Sequence, residues 1–185
     1  YAFNLPFAEL GSRDYKMELL GDLFDGIMKS NGSVVGTKSN YAYAFEWDEY
    51  YTPRSLYRLL SAGVKVKVAT LPFSSVTQEG QKNFDYGTIL IPLGIQNDQD
   101  QVHDLVKTIA AEDGIKVYAL SSGLSTGGID LGSNNFQNLE KPSVAILAGD
   151  GTTSSEVGEA WHLFDQRYDM PLTILDKSDI GGADL

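Results

Sequence analysis

The sequence predicts a three-layer wound α/β fold built on a mostly parallel sheet. Three observations carry that expectation. Apolar segments of strand length alternate with amphipathic segments of helical spacing. Most of the connections between them are short, as in a sheet wound by helical crossovers. Ile89-Leu90-Ile91 is a continuous apolar run, the pattern of a strand buried on both faces.

Taken in order, residues 1–7 read as a short strand. Residues 13–29 read as an amphipathic helix, with Leu19, Leu20, Leu23, Phe24, Ile27 and Met28 at helical spacing, stopped by Asn31-Gly32. Residues 41–47 form an aromatic strand. Thr52-Pro53 supplies an N-cap and a first-turn proline for a helix that carries Leu56, Leu59 and Leu60 and ends at Gly63. In the next strand, residues 64–69, Lys65 and Lys67 alternate with Val64, Val66 and Val68. Residues 72–85 read as a polar connection and residues 86–93 as a buried strand. The helix at 102–113 turns Val102, Leu105, Val106, Ile109 and Ala110 inward, and Gly114 closes it before a further buried strand at 115–120.

Residues 121–141 form a loop rich in Gly, Ser and Asn, long enough to mark a function or a domain junction. A strand at 143–148, a helix at 153–168 and a strand at 172–175 then make a βαβ unit. Thr153 and Glu156 stand at capping-box spacing, and Val157, Ala160, Trp161, Phe164 and Tyr168 form the apolar face of its helix. Residues 178–185 read as a loose tail. Tyr1-Ala2-Phe3 and Tyr43-Ala44-Phe45, each ahead of a leucine-rich helix, make a faint repeat. The expected division is one α/β domain at 1–141 and a further βαβ unit at 142–185, which either completes the same sheet or starts a second domain.

Charge and composition narrow the function classes. With 25 acidic against 14 basic residues the formal charge is −11, a field that repels nucleic acid and anionic membrane, and no Lys/Arg stripe offsets it. The acidity reads as a solubility device. No apolar run approaches the ~18 residues of a membrane span, and no segment has the pattern of a secretory signal. The absence of cysteine rules out disulfides, thiolate nucleophiles and iron–sulfur ligation in this chain.

Four groups of residues have the right types for chemistry. Gly123-Leu124-Ser125-Thr126-Gly127 is a literal G-x-S-x-G after a strand, the pattern that presents a hydrolase serine on a strained strand-to-helix elbow. The following Gly128-Ile129-Asp130-Leu131-Gly132 is loop sequence, so a glycine loop is the simpler reading. Gly149-Asp150-Gly151-Thr152-Thr153-Ser154, with Asp176 ending the next strand, loosely imitates a dinucleotide turn; Asp150 and Glu156 place negative charge where a pyrophosphate would lie. His162 is three residues from Glu159 and from Asp165, either a weak metal or proton-transfer cluster or a solvated ion-paired face. Glu46, Asp48 and Glu49 cluster after a strand, as an acidic first turn or a carboxylate site. Neither histidine has H-x-x-E or H-E-x-x-H spacing, and no metal ligand is assigned.

Tyr86-Gly87-Thr88-Ile89-Leu90-Ile91-Pro92-Leu93-Gly94, a helix, and Val117-Tyr118-Ala119-Leu120-Ser121-Ser122-Gly123 together resemble the core of class I glutamine amidotransferase-like domains, a flavodoxin-like arrangement. In that superfamily the second strand runs into a Cys-x-Gly nucleophile elbow. Here Ser121 stands at the cysteine's place, and the later catalytic His-x-Glu has no counterpart. The resemblance implies the fold and argues against amidotransferase activity.

A second resemblance spans most of residues 41–176. Tyr50-Tyr51-Thr52-Pro53-Arg54-Ser55-Leu56-Tyr57-Arg58, Gly128-Ile129-Asp130-Leu131-Gly132-Ser133 and Gly158-Glu159-Ala160-Trp161-His162-Leu163-Phe164-Asp165-Gln166-Arg167-Tyr168 are similar to the region that follows the catalytic domain in certain bacterial carboxypeptidase A-type zinc peptidase-related proteins. The resemblance implies a non-catalytic accessory domain in a secreted or envelope-associated protein. Its partners would be the parent's peptidase domain, which holds the zinc, and a peptide or small-molecule ligand. No cofactor is expected in this chain. The competing expectations are a serine hydrolase using Ser125 or Ser121, with His162 a further catalytic candidate, and a ligand-binding module using Glu46, Gln96, Ser122 and Asp150 near strand ends together with Thr153 and Glu159.

Overall fold

The computed structural model describes residues 9–19, 21–23 and 31–182. The strand expected at 1–7, the first member of the faint repeat, residues 20 and 24–29 of the first helix and the last three residues of the tail lie outside the described residues. Met17–Leu19 forms a single 3-10 turn.

The described chain runs β1 (Ser33–Val35), β2 (Ala42–Phe45), α1 (Thr52–Ser61), β3 (Val66–Ala69), β4 (Phe73–Thr77), β5 (Gly80–Phe84), β6 (Ile89–Pro92), α2 (Gln99–Asp113) and β7 (Lys116–Leu120). It continues with β8 (Gly127–Gly128), β9 (Phe136–Leu139), β10 (Val144–Ala148), α3 (Ser154–Trp161) and β11 (Leu172–Asp176). Six strands form the main sheet in the order β1-β7-β2-β6-β3-β9. The fold is mixed α/β with a sheet at its core.

The sheet is not mostly parallel. Only β1–β7 pairs in parallel; β7–β2, β2–β6, β6–β3 and β3–β9 are antiparallel. The reason lies in how two crossover units interleave. β2-α1-β3 and β6-α2-β7 each join strands that point the same way, as a helical crossover requires. However, β6 lies between β2 and β3, and β2 lies between β6 and β7. The units run in opposite directions and step opposite ways along the sheet, so a common right-handed connection puts both helices on one face.

That face holds the larger core. Leu59 of α1 and Val102, Val106 and Ile109 of α2 pack with Tyr43, Phe45, Val66, Ile89, Ile91 and Val117 from the sheet. Alternation along the strands sends Ala42, Ala44, Leu90, Tyr118 and Leu120 to the other face. Among the described residues no helix covers them. Their cover is a three-stranded sheet, order β5-β4-β8, through Phe73 and Phe84, together with Leu131 and Phe136. Among the described residues this layer is therefore β rather than the α layer expected.

The segment 72–85, read from sequence as a polar connection, is the β4–β5 hairpin. Its apolar content is concentrated at the open end, where Phe73 pairs with Phe84 and their rings stack at 4.8 Å. At the closed end Thr77 Oγ1 donates to the Gly80 carbonyl at 2.9 Å, and Gly80 takes the positive φ of +102° that this turn needs. The loop expected at 121–141 likewise contains β8, which pairs with β4, and β9, which forms the sheet edge beside β3.

Helix ends also differ in detail. Tyr51, not Thr52, is the N-cap of α1, and Thr52 is drawn into the first turn with its hydroxyl buried and without a hydrogen-bond partner. Asp98 caps α2 by accepting from the Gln101 amide at 2.9 Å, and Gly114 closes it in the left-handed conformation. Thr153 is the N-cap of α3 without a side-chain bond. The helix expected at 153–168 changes to a π-helical segment at His162–Arg167.

β10 and β11 pair with each other in parallel, as a two-stranded sheet separate from the main one. Tyr168, Met170, Phe164 and Val144 pack this βαβ unit against Tyr51 and Tyr57 of the α1 region. Elsewhere it is open, with Leu147 45% and Ile174 55% exposed, unlike the strands of the main sheet.

Candidate functional site

The parallel pair β1–β7 ends beside a polar cleft of about 380 Å³. One wall is the β1–β2 loop at residues 36–40, another the hairpin turn at 76–78, and the floor is the end of β7 at 119–121. Parallel α/β sheets place ligands outside the carboxyl ends of their strands, where loops diverge, and β1–β7 is the pair of this mixed sheet that has that geometry.

Ser39 organises the loop wall. Its hydroxyl donates to the Leu120 carbonyl at 2.6 Å and accepts from the amides of Tyr41 and Ala42 at 3.0 and 3.1 Å. Its own amide donates to the Tyr43 hydroxyl at 3.0 Å, and Tyr43 in turn meets His103 Nδ1 at 2.5 Å. Lys38 forms an ion pair with Asp100 on α2. Burial pushes the Tyr43 phenol up and holds His103 below the usual imidazole range, helped there by Lys107 and Lys38 and opposed by Asp104 and Asp100. Sequence reading missed this network, because its members lie on three separate elements and match no motif.

Ser121 lines the cleft at the end of β7, and Ser122 beside it accepts from the Leu124 amide at 3.0 Å. The chain after Ser121 does not turn into a helix but runs through irregular backbone to β8. Gly123 has no space for a side chain, since a Cβ there would lie 1.9 Å from the Tyr41 hydroxyl. Ser125 is committed elsewhere: its hydroxyl donates to the Ile129 carbonyl at 2.6 Å and its amide to Asp130 at 2.8 Å. The next amide, Thr126, donates to Ser74 at 2.8 Å. The G-x-S-x-G segment is thus a strap laid against the hairpin, with no helix behind the serine.

The remaining candidates are dispersed. Because β2 runs antiparallel to β6 and β7, Glu46 leaves the sheet at the edge opposite Gln96 and Ser122. There it pairs with Lys82 in a small hollow of about 180 Å³ that Asp48, Glu49, Lys116 and Tyr118 also line. Burial, reinforced by Asp48, pushes the Glu49 carboxyl up. Gln96 spends its amide on structure, accepting from Lys65 N at 3.0 Å and donating to the Lys65 and Pro92 carbonyls at 2.7 Å. Asp150, Thr153, Glu159 and His162 all lie exposed on the separate βαβ unit. Asp165 accepts from its neighbour Gln166 at 2.5 Å rather than from His162. The Gly149 turn packs directly on the Asp176 carboxylate, and Asp176 accepts from the Ser178 amide and hydroxyl at 2.9 and 2.7 Å.

Among the described residues no group of three or more His, Asp or Glu side chains could hold a metal ion. No helix among them is long and apolar enough to cross a membrane. Between α1 and the βαβ unit lies an apolar groove of about 400 Å³ walled by Trp47, Leu56, Tyr57, Phe164 and Tyr168, with the Lys141 ammonium 5.0 Å from the Tyr57 ring at its margin. No family model, no curated protein and no solved structure matches this chain. The class is a mixed α/β domain with a polar cleft at the end of β1–β7, the one parallel pair described in its main sheet.

Proposed function

We propose that this chain is a non-catalytic, amidotransferase-like accessory domain of a larger zinc carboxypeptidase-like protein, secreted or envelope-associated, in which the peptidase domain carries the zinc. The domain holds a small polar ligand or a substrate segment in the cleft between the β1–β2 loop and the end of β7. The observation that carries this reading is the bonding of Ser125. Its hydroxyl proton is spent on the Ile129 carbonyl, so the one literal nucleophile motif serves to tie a loop. Both histidines are also placed for other roles: His103 is bonded to Tyr43, and His162 lies on the separate βαβ unit. The cleft offers hydroxyls and amides from Thr37, Asn40, Gln78 and Ser121, and the ammonium of Lys38, which also lines it, is paired with Asp100, so the cleft suits a neutral polar ligand better than a charged one.

Peptidase, esterase and glutaminase assays on the purified chain, with metal content measured on the same sample, test the non-catalytic part. The expected result is no turnover and no stoichiometric metal. Turnover abolished by Ser125→Ala or Ser121→Ala would replace this reading with a serine hydrolase. The accessory part is tested in the full-length protein by deleting residues 31–182. Lower stability, narrower substrate range or slower peptide turnover is expected, and an unchanged enzyme would remove the proposal.

A further inference from the structure

We infer that His103 is a proton-operated latch on the β1–β2 loop: a proton taken up at Nδ1 breaks the bond from Tyr43 and loosens the wall of the polar cleft. The Ser39 amide donates to the Tyr43 oxygen at 3.0 Å, and the only acceptor within reach of the tyrosine's own proton among the described residues is His103 Nδ1 at 2.5 Å, so we place that proton between the two. Nδ1 is then the acceptor, and the neutral ring carries its hydrogen on Nε2. Both side chains are buried, Tyr43 fully and His103 to all but 9%. Neither has another hydrogen-bond partner among the described residues.

Protonation of Nδ1 turns both ring nitrogens into donors. The Tyr43 oxygen then faces two donors while its own proton has lost its acceptor inside the core, an arrangement that leaves a buried polar group unpaired. Relief comes most easily by moving the loop, whose attachment at this point is the Ser39 amide. Ser39 also ties the loop to the end of β7 and the start of β2, so displacement there reaches residues 36–40 and hence the cleft.

The charges that face the imidazole are mixed and come from every neighbouring element. Lys107, Asp104 and Asp100 are on α2, Lys38 is on the loop, and Tyr43 is on β2. The lysines oppose proton uptake and the two aspartates favour it, while burial weighs against the charged form. The latch therefore holds at neutral pH and releases on the acid side of the ordinary histidine range. This inference concerns the loop alone and stands whether or not the cleft takes a ligand.

The test is an NMR titration of the purified chain between about pH 8 and about pH 5, following the ring nitrogens of His103 and the amide protection of Ser39, Tyr41 and Ala42. At the upper end His103 shows the Nε2–H tautomer. On acidification it titrates below the free-histidine value, and protection at the three amides falls about tenfold in the same step, the scale of one lost hydrogen bond. His103→Gln, which keeps an acceptor for Tyr43 in a neutral side chain, retains the protection and loses the step. Lys38→Gln keeps the step and moves it to higher pH, because a repelling charge has gone. The inference is overturned if His103 titrates with no change at Ser39, if it carries its hydrogen on Nδ1 at neutral pH, or if the step persists in His103→Gln.

Discussion

Arg54 of α1 donates its Nε hydrogen to Oδ1 of Asp113, the last residue of α2, at 2.8 Å, and a second guanidinium nitrogen lies 2.7 Å from the same oxygen. The Asp113 side chain is fully buried, and Ser55 and Arg58 complete its shell at 2.7 and 3.0 Å. A carboxylate at a helix C-terminus opposes the helix dipole, so these three donors from α1 are what make the position tolerable. Arg54, Ser55 and Arg58 belong to one turn of sequence, and a single carboxylate clamps that turn to the neighbouring helix.

Asp113→Ala is expected to lower the unfolding free energy by about 3 kcal/mol, because it strands two arginines in a partly buried site. Asp113→Asn keeps one acceptor and should lose less. Urea unfolding of both variants checks the order. Equal, near-zero effects would show that the clamp contributes nothing to α1–α2 packing.

Thr52 makes the opposite prediction. Its hydroxyl is buried without a partner while its methyl group packs. Thr52→Val removes the unpaired group at nearly constant volume and should stabilise the protein by about 1 kcal/mol. A destabilised valine variant would mean that the hydroxyl has a partner, such as a bound water.

The pH dependence of stability follows from His103. Its folded-state pKa is lowered, so the unfolded chain takes up the proton first as the pH falls. Stability is then full above the unfolded histidine value of about 6.5 and declines as the pH drops below it toward the folded value. Thermal unfolding of wild type and His103→Gln across that range should converge near neutrality after allowance for a constant offset, and diverge on the acid side. Parallel curves throughout would remove His103 as the source.

In the glycine strap, Gly128→Ala should be severe. Its φ is +77° and a Cβ would fall 2.4 Å from the Pro72 carbonyl oxygen, so backbone strain and a clash add at one position. A loss of about 1–3 kcal/mol is expected from the strain alone. Ser125→Ala should cost only about 1 kcal/mol, the worth of one hydrogen bond, and wild type should not react with a fluorophosphonate probe. A probe adduct on Ser125 would restore the elbow reading of this segment.

Hydrogen exchange should divide the chain into two tiers. The amides of β2 and β6, central in the main sheet and buried on both faces, exchange at the global unfolding limit. Those of β10 and β11 have exposed flanks and open locally, so they should exchange faster. Uniform protection would show that the βαβ unit and the main sheet unfold together.

Much of the local structure was legible. Ile89-Leu90-Ile91 and Val117-Tyr118-Ala119-Leu120 are strands because their apolar residues serve both faces at once. Gly114 closes α2 where the helical pattern ends. The β4–β5 hairpin was not legible because only Phe73 and Phe84 show its apolar side; the serines, threonine and lysine between them look like a solvated connection. The site was less legible than the fold. Glu46, Gln96 and Ser122 all follow strands, and an all-parallel sheet would have gathered them at one edge. The antiparallel insertion of β2 sends Glu46 to the other.

The sequence by itself determined β2, α1, β3, β6, α2 and β7, and that each of α1 and α2 returns the chain to a strand of the same direction, because period and crossover geometry are local properties. Only the tertiary structure decided that the two crossover units interleave. A helix of this length fixes the direction of the strands it joins but not what lies between them. Insertion of β2 between β6 and β7, and of β6 between β2 and β3, is chosen by side-chain fit across the sheet. The same holds for the Tyr43–His103 bond and the Arg54–Asp113 clamp. Each joins residues about sixty positions apart, and no spacing rule along the chain can bring such partners together.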